Sequence, residues 1–214
     1  MKTKPTITYH LPDEIEKRSF EIIEEELGNA KINPQLAPII KRVIHTSADF
    51  DYLEHLCFSK DVVPHAIEVL KRGACIVTDT QMAKAGINKK VLETLGGEVF
   101  CFISDEDVMQ EAKRQGTTRA QISMERAVQI QKPLIFAIGN APTALMKLYD
   151  LIETGFKPQL IIGVPVGFVN VVESKELIME TDIPYIIAKG RKGGSNVAAA
   201  ICNALLYEAS KDTI

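Results

Sequence analysis

The sequence lacks the features that mark secreted, membrane-spanning and nucleic-acid-binding proteins. Its four cysteines are scattered and none forms a Cys-x-x-Cys pair, so buried, reduced thiols are expected. No apolar run reaches the roughly 18 residues of a membrane span, and the first ten residues have no apolar signal-peptide core. A formal net charge of -3 argues against nonspecific nucleic-acid binding. These absences predict a cytoplasmic protein with no membrane or nucleic-acid partner.

The common cofactor and catalytic motifs are absent as well. The chain contains no GxGxxG dinucleotide fingerprint, no GxxxxGK[ST] phosphate loop and no GxSxG nucleophile elbow. Its four histidines form no HxxxH or HExxH pair, and no group of cysteines and histidines has zinc-ligand spacing. We therefore expect neither a nucleotide cofactor nor a protein-bound metal.

Three apolar segments in the second half of the chain each lead into a glycine-rich turn that opens a helix. They read LIFAIGNAPTAL (134–145), LIIGVPVGFVN (160–170) and YIIAKGRKGGSNVAAA (185–200). Repeated strand and helix of this kind is typical of a buried parallel sheet, whose ligand crevice lies at the carboxyl ends of the strands. Helix starts expose N–H groups that favour anions, and the third turn adds Lys189, Arg191 and Lys192. The pattern predicts a ligand with several negative groups.

The length of 214 residues fits one domain, 1–214, of the α/β class. Ala74 to Asp79 and Glu98 to Ser104 read as two more strands, so we expect about five strands in a mainly parallel sheet flanked by helices. The first third of the chain shows apolar residues at helical spacing and predicts a helical layer. Its second helix is expected to have Asn33 as N-cap and Pro34 as its first residue, and to end near His45.

His45 is the histidine whose position suits proton transfer. It ends an apolar helix, and Arg42 lies three residues earlier on the same face. A helix C-terminus favours the protonated imidazole, whereas a nearby guanidinium disfavours it, and a histidine under both influences can carry a proton. A capping or core histidine is the alternative interpretation.

Two further side chains are candidates for ligand contact. Ser19 lies among isoleucines on the face of the first helix that is expected to be buried, where a serine serves either close packing or a pocket. Arg119 starts a helix, where its charge opposes the helix dipole unless an acidic ligand lies beside it. A solvated arginine is the alternative for Arg119.

Six segments in order along the chain support a family resemblance. They are RSF (18–20), RVIH (42–45), GTTR (116–119), AIGNAPTAL (137–145), GVPVGFVN with ESK (163–175) and GRKGGSN (190–196). Together they resemble the precorrin-8X methylmutase family of cobalamin biosynthesis, which includes the cobalt-precorrin-8 methylmutases. No single segment is decisive, but an unrelated α/β protein would not carry all six at these separations.

The resemblance implies an isomerase that moves a methyl group between two adjacent carbons of one ring of a corrinoid. It also implies an α/β homodimer that needs no separate cofactor. The family's proton-carrying histidine corresponds to His45. Its substrate-binding residues correspond to Ser19, Arg42, Arg119 and Arg191. This fits a flat macrocycle fringed with acetates and propionates, because arginine binds carboxylates through two parallel hydrogen bonds.

The resemblance also indicates a branch of the pathway and a subunit contact. The TSADFDY segment after His45, together with Lys192, resembles the anaerobic branch, whose substrate carries cobalt.

Part of the helical third, or the turn from Val164 to Phe168, is expected to meet a partner subunit. Two alternatives stay open: a non-catalytic corrinoid-binding or channelling protein, and a sugar-phosphate or nucleotide enzyme on a similar scaffold.

Overall fold

The computed structural model describes residues 11–211, which form an α/β fold around one sheet. The six strands in this range are β1 (Leu56–Phe58), β2 (Cys75–Thr78), β3 (Val99–Phe100), β4 (Leu134–Ile138), β5 (Leu160–Gly163) and β6 (Tyr185–Ala188). Their order across the sheet is β1-β6-β5-β4-β2-β3. All neighbouring strands are parallel except β1 and β6. The prediction of a mainly parallel sheet is confirmed.

Eleven helices surround the sheet within the same range. They are α1 (Pro12–Leu27), α2 (Ala37–Ser47), α3 (Tyr52–His55), α4 (Val62–Lys71), α5 (Gln81–Gly86), α6 (Lys89–Thr94), α7 (Glu106–Gln115), α8 (Arg119–Ala127), α9 (Pro142–Glu153), α10 (Val171–Met179) and α11 (Ser195–Ser210). The helices α9, α10 and α11 follow β4, β5 and β6, as the three glycine-rich turns predict. Helices α9 and α10 return the chain to the start of a parallel neighbouring strand, and α11 follows the last strand.

The sixth strand, β1, was not predicted. It has only three residues and pairs antiparallel with β6 at one edge of the sheet, with Leu56 opposite Ala188. Three residues are too few to show an alternating pattern, and one contact with a distant strand decides their conformation. The strand expected over Glu98 to Ser104 is likewise reduced to Val99–Phe100.

The sheet is covered by helices on both faces because alternate strand residues point to opposite sides. One face carries Ile76, Ile135 and Ile162, which join a core with α2, α4 and α11. The other face carries Val77, Phe136 and Ile161, which pack with α8, α9 and α10. The strands are buried on both sides, and this explains their continuous apolar sequences.

The N-terminal third is a helical layer of the same fold, as expected. Helix α2 packs along α11, and α1 packs on α2. The expected start of α2 at Pro34 is wrong, since the helix begins at Ala37. The Asn33 side-chain oxygen does accept the Gln35 N–H (3.0 Å), as an N-cap does, but in the turn that precedes the helix. Helix α2 continues to Ser47, so His45 lies in its last turn.

Candidate functional site

The turns that follow β2, β4, β5 and β6 meet along one side of the sheet, which we call the carboxyl edge. The hydroxyls of Thr80 and Ser195 are hydrogen-bonded (2.7 Å), and the Gly194 N–H donates to the Val164 carbonyl (2.9 Å). A Cβ atom at Gly139 would lie 2.7 Å from the Ser195 Cα, so only glycine allows these turns to approach. Ligands of open α/β sheets bind at this side.

A pocket of about 330 Å³ opens at the carboxyl edge beside Arg119. Arg119 is the first residue of α8, and Thr80 and Thr143 from the starts of α5 and α9 also line the pocket. Thr118 caps α8 by accepting the Gln121 N–H (3.2 Å), and its hydroxyl donates to Thr143 (3.0 Å). The exposed Arg119 forms no ion pair with any of residues 11–211. Its guanidinium is therefore available to an acidic group.

Asp79 lines this pocket, and its carboxylate binds the backbone N–H groups just before α9. Its carboxylate accepts the N–H groups of Gly139 (2.9 Å), Asn140 (2.8 Å) and Ala141 (2.6 Å), and the side chain is buried. Burial raises the pKa of Asp79, while the three N–H groups act in the opposite direction. The expectation that the β4 turn offers its N–H groups to a ligand is therefore wrong, since the chain's own carboxylate already takes them.

A second turn at the carboxyl edge carries Arg191. We call residues 189–194 the β6 loop. The Gly167 N–H donates to the Arg191 carbonyl (3.2 Å), and the Arg191 guanidinium carbon lies 5.5 Å from the centre of the Phe168 ring. Lys192 pairs with Asp49 and Asp51 at 2.6 Å each. The β6 loop is thus joined both to the turn after β5 and to the segment that follows α2.

Arg42 and His45 both contact Phe20 where α1 packs on α2, and Ser19 is the residue before Phe20 on α1. The Phe20 ring stacks on the imidazole of His45, with centres 5.1 Å apart and an angle of 12°. The Arg42 guanidinium carbon lies 4.8 Å from the same ring and 5.3 Å from the ring of Tyr207. His45 is exposed. Phe20 therefore orients an imidazole that a ligand can reach.

Two details of this α1–α2 cluster differ from the sequence-based expectation. Ser19 is half-buried and donates to the Ile15 carbonyl (2.8 Å). Ile15 and Ile22 are exposed whereas Ile23 is buried, so Ser19 lies at the edge of the buried face of α1. Arg42 forms an ion pair with Glu16. That pairing offsets the positive charge expected to act on His45.

The five predicted site residues therefore lie at three places within one chain. Arg42 and His45 form the α1–α2 cluster around Phe20, Ser19 lies next to Phe20 in the sequence of α1, and none of the three lines the pocket beside Arg119. Arg191 lies in the β6 loop beside Phe168. A ligand bound by all five residues would have to span these three places.

Residue-by-residue reasoning missed two buried polar groups that shape the carboxyl edge. Asp79 ends the β2 segment, and a carboxylate just after a parallel strand was the available signal. Lys175 lies in α10 and donates to the carbonyls of Gly190 (2.7 Å) and Lys192 (3.0 Å). In the sequence, only its place in the ESK segment of the family resemblance marks Lys175.

The described part of the chain contains no group of three or more histidine, cysteine, aspartate or glutamate residues that could hold a metal ion. Among residues 11–211, no helix combines the length and apolar character that crossing a bilayer requires. The four cysteines are unpaired.

Comparison with known proteins gives one consistent family. Residues 14–208 match the family model described as precorrin-8X methylmutase. The chain is 49% identical to the cobalt-precorrin-8 methylmutase of Priestia megaterium, over 91% of this chain and 87% of that protein. It is 46% identical to the enzyme of the same name from Salmonella typhimurium, over 92% and 95%. The solved precorrin-8x methyl mutase of Thermus thermophilus matches with a TM-score of 0.85 at 35% identity, over 94% of this chain and 99% of that one.

Proposed function

Because the chain belongs to the precorrin-8X methylmutase family, a family of isomerases of cobalamin biosynthesis, we propose that it moves a methyl group between adjacent ring carbons of cobalt-precorrin-8. The product is the rearranged corrinoid, an isomer of the substrate that retains the cobalt. The observation that carries the proposal for this chain is the α1–α2 cluster, in which an exposed histidine is oriented by an aromatic ring.

We assign the proton-transfer step to His45. The methyl group leaves one ring carbon and bonds to its neighbour, so the reaction needs no oxidant, reductant or second substrate. A proton on the macrocycle redistributes its π electrons and lets the methyl group migrate, and the same proton is returned afterwards. His45 suits this role because its imidazole is exposed and held by Phe20. Ser19, which is half-buried on α1, is proposed to contact the substrate as well.

Arg42, Arg119 and Arg191 are proposed to bind the substrate's carboxylates. Arg119 has no ionic partner among the described residues, and hydroxyl and amide side chains, among them those of Thr80, Thr143 and Asn140, line its pocket of about 330 Å³. A pocket of this size is at the lower end for whole ligands, so it suits one acetate or propionate arm and not the macrocycle. The ring itself must lie outside the pocket.

We propose a homodimer with the substrate near the subunit boundary. The turn after β5 exposes Val166 (47%), Phe168 (81%) and Val169 (78%), which is an apolar patch beside Arg191. A second copy seated on this patch would cover it and enclose a macrocycle that one chain leaves open. Two-fold pairs are the commonest assemblies.

The cobalt-containing substrate and a cytoplasmic location are further parts of the proposal. Relatives named cobalt-precorrin-8 methylmutase are 49% and 46% identical to this chain, whereas the Thermus structure named for precorrin-8x is 35% identical. Four free cysteines agree with a reducing compartment.

Parallel incubation with cobalt-precorrin-8 and metal-free precorrin-8X, followed by visible absorption, tests the activity. Catalytic amounts of the protein should convert the cobalt substrate, and the metal-free one more slowly. Spectral change that stops at one equivalent of protein would instead indicate a binding protein. Heat-denatured protein is the control for spontaneous migration.

A further inference from the structure

Lys175 is a lysine buried beneath the β6 loop. Its side chain in α10 is 1% exposed. The Nζ atom donates to the carbonyls of Gly190 (2.7 Å) and Lys192 (3.0 Å), and within residues 11–211 no carboxylate pairs with it. Backbone carbonyls alone thus solvate this ammonium group inside the protein.

Three consecutive backbone carbonyls of the β6 loop, those of residues 190–192, all accept hydrogen bonds. The Arg191 carbonyl, which lies between those of Gly190 and Lys192, accepts the Gly167 N–H (3.2 Å). At the end of the loop, a Cβ on Gly193 would lie 2.1 Å from the Val164 carbonyl oxygen, so the backbone there is in close contact with the turn after β5. These hydrogen bonds and the close backbone contact hold the main chain of the β6 loop, while the Arg191 side chain is exposed.

Keeping a charged group at this position opposes folding. Burial lowers the pKa of Lys175 to about 8, because the charged form loses its hydration. A methionine of similar shape would fill the same space without that desolvation. Burying this cation costs free energy, and both of its hydrogen bonds reach the β6 loop. We therefore assign Lys175 a role in shaping that loop.

We propose that Lys175 is a positioning residue that holds the β6 loop in the conformation in which Arg191 meets a substrate carboxylate. The inference rests on the proposed function, since Arg191 is assigned to the substrate there. Lys175 itself is buried and does not touch the substrate. It acts through the carbonyls on either side of Arg191.

The test compares Lys175→Met with wild type and with Lys157→Met, which removes an exposed lysine from the connection between α9 and β5. Amide hydrogen exchange is followed in peptides covering 189–194 and, as an internal reference, 134–138. Loss of hydrogen bonds to a charged donor should accelerate exchange in the loop by about tenfold or more and leave β4 unchanged. The Lys157 variant should match wild type in both peptides.

Binding and turnover then separate a positioning role from general support of the fold. In Lys175→Met, affinity for the cobalt-containing product should fall and KM should rise, each by about tenfold, while kcat stays within about threefold. Lys175→Arg keeps a cation with several donors and should restore part of the affinity. Faster loop exchange with unchanged affinity and KM would overturn the proposal, as would loop exchange equal to that of wild type.

A second variant covers the case in which Lys175→Met does not fold. Lys175→Gln keeps N–H donors in the buried site but is shorter by one bond, so it should show the same changes to a smaller extent. In that case the proposal is overturned if the β6 loop exchanges its amide hydrogens equally fast in wild type and in Lys175→Gln. Wild-type protein that binds no corrinoid would refute the proposed function, and the exchange comparison between the variants would still report on the loop.

Discussion

His45 and Asp79 are both polar side chains beside the proposed site, but their surroundings suit them for different roles. The imidazole of His45 is exposed and stacked on Phe20, so it can meet a ligand and exchange a proton. The carboxylate of Asp79 is buried, and three backbone N–H groups already bind it. We therefore place His45 in the reaction and Asp79 in the architecture of the pocket.

Replacing His45 tests the proton-transfer role directly. We expect His45→Ala to lower kcat by about a hundredfold or more, the usual size of a general acid–base contribution, and to change product affinity little. The variant should fold normally, because the side chain is exposed. Steady-state rates and product titration measure both quantities, with the exposed His55→Ala as control. A variant that keeps more than about a tenth of the wild-type rate contradicts the role.

The three arginines should contribute to affinity. Alanine at Arg42, Arg119 or Arg191 is expected to weaken product binding by about 1.5–3 kcal/mol, the range for hydrogen bonds to charged groups. Added salt should weaken wild-type binding, because the contacts are ionic. Arg72→Ala, which removes an exposed arginine paired with Glu68 on α4, is the matched control. Product titration that gives wild-type affinity for all three variants would refute the acidic-ligand model.

At the scale of elements, the sequence predicted the parallel strands and the helices that follow them, but not every contact between distant segments. The runs leading to Gly139, Gly163 and Gly190 are long enough to show both strand and turn. The strand Leu56–Phe58 has no such signal, because its conformation depends on β6. The same holds for the contact between Asp79 and Gly139, which are 60 residues apart. Local patterns cannot identify a partner at that separation.

The turn between β4 and α9 should depend on Asp79. Asp79→Ala leaves three N–H groups without their acceptor, and we expect the free energy of unfolding to fall by about 3 kcal/mol. Urea denaturation followed by circular dichroism measures this, with the exposed Asp182→Ala as control. A loss below about 0.5 kcal/mol, the level of an ordinary surface substitution, would show that the N–H groups find other acceptors.

Helix α10 should give the protein a pH-dependent stability through Lys175. Folding lowers the pKa of Lys175 from 10.5 to about 8. Between these values the unfolded chain binds the proton and the folded chain does not, so stability rises with pH. Below pH 8 both states are protonated, and the full penalty of burial is present. As the pH rises, this penalty is progressively removed.

The measurement compares wild type with Lys175→Met by urea denaturation from pH 7 to pH 10. The difference in unfolding free energy should shift in favour of wild type by on the order of 2 kcal/mol, since one pKa unit corresponds to about 1.4 kcal/mol. The nearby Glu176, Glu180 and Lys189 are present in both proteins, so their titration largely cancels. A difference in unfolding free energy between the two proteins that stays constant from pH 7 to pH 10 would contradict the prediction.

At the scale of the whole molecule, the question is how one substrate meets residues that lie at three places. His45 lies on α2, Arg119 in its pocket and Arg191 in the β6 loop. The residue types and the family resemblance could be read from the sequence, but the arrangement could not, because it depends on how α2 packs on α11 and α1 on α2. A second copy of the chain is the simplest way to bring the separated groups to one macrocycle.

The last prediction is that the protein is a homodimer that needs its apolar patch. Light scattering at micromolar concentration should give about twice the chain mass of 23.7 kDa. Phe168→Glu places a charge on the most exposed large apolar side chain of the patch, so it should yield a monomer with little activity. Met109→Glu alters an exposed apolar residue on α7 and should remain dimeric. A wild-type monomer that still converts substrate would refute both the dimer and the shared site.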